Sequence, residues 1–100
     1  SSAPLIEDCV KARTFYSEIK ELGICEKAQT ISEILTLSEV MEFAEEMQLL
    51  AVDCGVPAFI LWSERLFNAV AIFDMSHVVE LLSELVHVVE EFGNNIAEGQ

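Results

Sequence analysis

A chain of 100 residues supports one domain with a thin core, and an apolar share of 52% leaves such a domain some apolar surface to spare, which marks an interface. The formal charge is −13, from 18 acidic and 5 basic residues, and the basic ones (Lys11, Arg13, Lys20, Lys27, Arg65) are scattered, so nucleic acid and anionic membranes are excluded as partners; solubility or a basic protein surface accounts for the charge. Cys9, Cys25 and Cys54 are odd in number, widely spaced and without a C-x-x-C pair, and with no signal peptide and no apolar run near the length of a membrane span they read as reduced core residues of a cytosolic protein.

Helical spacing runs through nearly the whole chain, and strand alternation does not. The first predicted helix covers about Pro4 to Leu22, with Leu5, Cys9, Ala12, Tyr16 and Ile19 as its apolar stripe, Glu7 and Lys11 as an outer ion pair, and Gly23 as its left-handed stop. A shorter one follows over about Cys25 to Leu35, with Ala28, Ile31 and Leu35 inward.

Thr36 and Glu39 match a capping box at the start of the third helix, and Leu35 and Val40 flank it as a hydrophobic staple. Its inward stripe is Val40, Phe43, Met47, Leu50 and Cys54, and Gly55 ends it. The fourth helix opens at Pro57 and runs to about Phe73. It carries Phe59, Trp62, Leu66, Ala69 and Phe73, widened by Ile60, Phe67 and Val70, so it is apolar nearly all round and belongs at the centre. Asp74 caps the fifth helix, with Phe73 and Val78 at staple positions. That helix buries Val78, Leu81, Leu82, Leu85, Val88, Val89 and Phe92 and is expected to stop at Gly93-Asn94-Asn95.

Short connections make successive helices antiparallel, so the fold class is all-α: an up-down bundle of four to five helices. Residues 1–35 read as an N-terminal helical pair, 36–93 as a three-helix core and the firmest part, and 94–100 as a frayed tail. Ser1-Ser2-Ala3 and that tail have the look of the ends of an excised fragment.

His77 and His87 are the candidate phosphoacceptors. A phosphotransfer helix typically follows its histidine with Lys and Gly at the third and fourth positions. Here those positions hold Glu80 and Leu81, or Glu90 and Glu91, and carboxylates there repel an incoming phosphoryl group. Glu84 and His87 have the E-x-x-H spacing of di-iron bundles, but a single outward pair falls short of that site, so no metal and no cofactor is expected. The glycines sit at helix ends and form no phosphate loop, and the paired carboxylates Glu45-Glu46 and Glu90-Glu91 read as solvated faces. Trp62, with Phe59 and Phe67 on the same helix, is the candidate interface anchor. For Trp62 a core position is the stronger reading, because the helix is apolar on every side.

The run Trp62-Ser-Glu-Arg-Leu66-Phe-Asn-Ala69-Val-Ala-Ile-Phe73-Asp74, with Val78-Val79-Glu80-Leu81-Leu82 after it and Phe43-Ala44-Glu45-Glu46 and Gly55-Val56-Pro57 before it, resembles a small helical domain near the C-terminus of bacterial hybrid sensor histidine kinases. The resemblance covers a little over half the chain, from about Leu37 to Phe92, and its motif consists of packing and capping residues. It implies a phosphotransfer-like module of a two-component signalling protein that lacks the phosphorylatable histidine. The expected function is therefore a non-catalytic interaction module that docks on a receiver or kinase domain of the same system, or dimerises. The resemblance allows a membrane anchor elsewhere in the parent chain, with this domain in the cytoplasm and out of contact with the membrane. Phosphotransfer through His77 or His87 and a free-standing helical adaptor are the alternatives.

Overall fold

The computed structural model of the chain describes residues 6–98, with the side chains of 9–97. Pro4 and Leu5, expected in the first turn, and the side chain of Glu7 lie outside the described residues. Five helices follow one another: α1 (Ile6–Glu21), α2 (Ile24–Ile34), α3 (Leu37–Cys54), α4 (Pro57–Ala71) and α5 (Met75–Glu98). All the regular structure among the described residues is helical, and no described helix is long and apolar enough to cross a membrane.

α1 and α2 run the same way in tandem, so the reversal expected between them does not occur; together they form one arm of an antiparallel up-down bundle whose other arms are α3, α4 and α5. α3 packs between α1–α2 and α4, and α5 packs between α4 and α1–α2 on the other side. α1 and α2 share one flank and follow each other along α5: Tyr16 of α1 meets Gly93, while α2 lies beside Leu82, Ser83 and Val86. The break between them is Gly23, held at φ 61°. The bundle thus has two ends. The α3–α4 corner at Gly55 lies at one, and the α2–α3 and α4–α5 corners lie together at the other.

The helix boundaries follow local chemistry, with three departures from expectation. Gly55 takes φ 63° and Pro57 opens α4, as its fixed φ and missing N–H favour. Asp74 Oδ1 accepts the His77 N–H at 3.2 Å, so it caps α5 at its third residue. Thr36 is the N-cap of α3, but its side chain makes no capping hydrogen bond, so the expected capping box is not formed; Val40 is buried in the core and Leu35 packs against it from the corner. Phe73 does not enter the core stripe of α4 and makes no staple. It sits past the helix end at φ 56°, 71% exposed. The third departure is Gly93, where α5 does not stop but runs on through it to Glu98. Gly93 serves packing instead: a Cβ there would stand 2.6 Å from the Tyr16 ring, so the glycine lets two helices approach closely.

The core draws on every helix. Phe15, Ile19, Ile24 and Ala28 belong to the same buried cluster as Val40, Phe43, Met47, Phe59, Leu66, Val78 and Leu85. α1 and α2 therefore pack on the bundle. The buried stripe of α1 keeps the expected Ile19 but takes Phe15 in place of its neighbour: Phe15 is wholly buried while Tyr16 is half-buried. Phe15, Phe59 and Phe92 form a closed trio with ring centroids 4.8, 5.6 and 5.4 Å apart, joining α1, α4 and α5. Aromatic pairs at such spacings add roughly 0.5–1.5 kcal/mol beyond the area they bury.

Candidate functional site

The histidines come out where the sequence put them, on the surface of α5. His77 Nδ1 is 3.3 Å from Glu80 Oε1, and His87 Nδ1 is 3.7 Å from Glu90 Oε1. Each ring thus already faces a carboxylate three residues on, in the position that disfavours an incoming phosphoryl group. Glu84 and His87 are both exposed, and among the described residues no group of His, Cys, Asp and Glu is placed to hold a metal ion. The cysteines are free and half-buried rather than deep in the core. Burial pushes the Cys25 thiol up, and the adjacent Glu26 adds to it; burial and then Asp53 do the same for Cys54. A thiol held protonated is a poor nucleophile.

Two of the three candidate interface anchors, Phe59 and Trp62, lie in the core. Phe59 is fully buried in the aromatic trio. Trp62 is 5% exposed, packs edge-on to Phe43 at 6.1 Å and donates its Nε1–H to the Leu81 carbonyl at 3.1 Å. That bond satisfies the indole inside the bundle and ties α4 to α5, so the residue is a core tie. Phe67 is half-buried against the core.

The surface features that stand out lie elsewhere. Between α2 and α3 runs an open groove of about 690 Å³. Its apolar floor and wall come from Ile31, the buried Phe43 and Leu49, which is 68% exposed. Glu39, Glu42, Glu45 and Glu46 line it from α3. The α2 side supplies Thr30 and one cation, Lys27, whose Nζ lies 3.1 Å from Glu46 Oε1. Helical geometry explains the wall: positions 39, 42, 46 and 49 recur at three- and four-residue spacing and so share one face of α3. From the sequence alone Glu45-Glu46 read as a solvated face and Glu39 as a capping-box partner, and neither reading points to a shared wall.

The second feature is apolar. Ile34, Ile72 and Phe73, at 75%, 73% and 71% exposure, sit at the two corners of the same end of the bundle. Leu35 and Phe73 in those corners both hold φ 56°, the left-handed region that β-carbons resist.

No family model, curated protein or solved structure matches the chain.

Proposed function

We propose that this chain is a non-catalytic protein-interaction module that docks on a receiver or kinase domain of a two-component signalling system. The observation that carries the interaction reading is the α2–α3 groove, an apolar trough walled by four glutamates on a folded bundle. The exposed Leu49 and the half-buried Ile31 beside a charged rim are what a docking face offers. The partner class comes from the resemblance of residues 37–92 to helical modules of hybrid sensor kinases, and half-buried reduced thiols agree with a cytosolic setting.

The test is titration of the isotope-labelled chain with purified receiver domains, phosphorylated and unphosphorylated, followed by amide NMR shifts and by phosphoryl label. Saturable shifts without label on the chain are expected. Label that reaches His77 or His87 and disappears in the His→Gln variants would replace this reading with phosphotransfer. A chain that only self-associates, with no shift on adding any receiver or kinase domain, would replace it with dimerisation.

A further inference from the structure

We infer that the α2–α3 groove seats a basic amphipathic helix of the partner. The inference rests on the interaction reading above and adds the place of contact and the chemistry of what is bound.

The shape of the groove comes first. From Glu39 to Leu49 its α3 wall extends about 15 Å at 1.5 Å per residue. A helix that anchors through side chains at i, i+3 or i+4, and i+7 needs about 10.5 Å for that set, so the wall accommodates one anchor face with less than a turn to spare. The trough is open along its length and floored by Ile31 and Phe43, with Leu49 standing at its edge, so it receives side chains from a neighbouring surface.

Charge then selects the occupant. Four carboxylates face one ammonium, in a chain whose net charge is −13. A nucleic acid or an acidic helix brings like charge to that wall. A second copy of this chain brings a net charge of −13 to the same wall. A helix with Leu-like anchors on one stripe and Lys or Arg flanking it matches both the floor and the rim. The Lys27–Glu46 pair sets little barrier to this exchange: both side chains are partly exposed to water, and solvent-screened pairs hold weakly. Lys27 can turn out to water and leave Glu46 to a cation of the partner.

The probe is a synthetic helical peptide of roughly four turns, with Leu at i, i+3 and i+7 and Lys on both flanks. It is titrated into the labelled chain at low salt, with a control peptide in which each Lys is replaced by Glu. Expected are amide shifts along residues 27–31 and 39–49, no shift with the control, and affinity that falls as salt rises. The double variant Glu42→Lys/Glu45→Lys should bind the Lys peptide about tenfold more weakly or worse, and Leu49→Ser should weaken it independently of charge. Both alter exposed positions, and circular dichroism checks that each keeps its helix. Shifts centred on residues 34–35 and 72–74, unchanged affinity in the charge-reversed variant, or no binding up to ~1 mM peptide overturn the inference. A receiver domain that binds away from the groove in the earlier titration leaves the interaction reading standing and removes this one. If neither peptide nor signalling domain binds, both fall.

Discussion

The two ends of the bundle use the same helix stop with different residues. At the α3–α4 corner, Gly55 donates its N–H to the Val52 carbonyl at 3.1 Å and Val56 donates to Ala51 at 2.9 Å. At the α4–α5 corner, Phe73 donates to Val70 at 3.0 Å and Asp74 to Ala69 at 2.9 Å. Both are the doubly bonded stop in which the residue after the cap turns left-handed. At the first corner that residue is glycine, and the next side chain, Val56, is buried against the core. At the second it is phenylalanine, with its ring in water. Leu35 takes the same left-handed turn at the same end, but its side chain packs against the core. The hydrogen bonds therefore do not choose the residue. The Gly55 end is built as the fold alone would ask. The other end carries a backbone cost of about 1–2 kcal/mol at Phe73 with no burial to offset it. Departures of this kind collect at functional surfaces, and this one shares its end of the bundle with Ile34 and Ile72.

The largest expected effect lies toward the Gly55 end. Phe59→Ala removes two of the three ring contacts of the aromatic trio and opens a cavity at a fully buried site. It should cost about 3–5 kcal/mol in urea unfolding. Phe73→Ala, at the exposed corner, should stay within about 0.5 kcal/mol of the parent by the same measurement. Equal losses at the two sites would erase the distinction between a packed end and an open one.

A smaller effect tests the close approach of α1 and α5. Gly93→Ala should lower stability by about 1 kcal/mol, because overpacking against the half-buried Tyr16 ring outweighs the helix propensity gained. In a Tyr16→Ala background the same change should instead stabilise by about 0.5–1 kcal/mol, since only the propensity term remains. A double-mutant cycle by chemical unfolding measures the difference. Additive effects would mean that the ring swings aside freely and that Gly93 has another reason to be there.

What the sequence made legible was local. Gly23, Gly55, Pro57 and Asp74 mark helix ends through their own backbone preferences or a cap three residues away, and the structure uses all four there. What it hid depended on distant partners. Phe15 and Tyr16 are adjacent and both apolar enough for the buried stripe of α1, and only the positions of Phe59 and Phe92 on other helices decide between them. Gly93 follows an apolar run and so reads as a stop, yet its role is set by a tyrosine in the first helix. Trp62 was ambiguous between core and interface until the Leu81 carbonyl was seen to accept its N–H. The groove was illegible for the same reason. Glu39, Glu42, Glu45 and Glu46 form a wall only because α2 lies alongside them and brings Ile31 and Lys27 within reach.

The smallest prediction exchanges the logic of the two corners. Phe73→Gly removes left-handed strain worth about 1–2 kcal/mol and returns about 0.5–1 kcal/mol through the greater freedom of glycine in the unfolded chain. The net is a gain of about 0.5–1 kcal/mol, a rise of a few degrees in the thermal midpoint of a domain this size. Gly55→Ala should do the reverse by a similar amount, because no atom lies within 4 Å of the added Cβ and the cost is backbone strain alone. The pair should therefore shift the midpoint in opposite directions. If Phe73→Gly lowers it, the exposed ring stabilises the isolated fold, and its placement needs no partner. If it raises it, the chain keeps at that corner a residue its own folding disfavours, and the ring at Phe73 joins the α2–α3 groove as a surface to map with each partner tested.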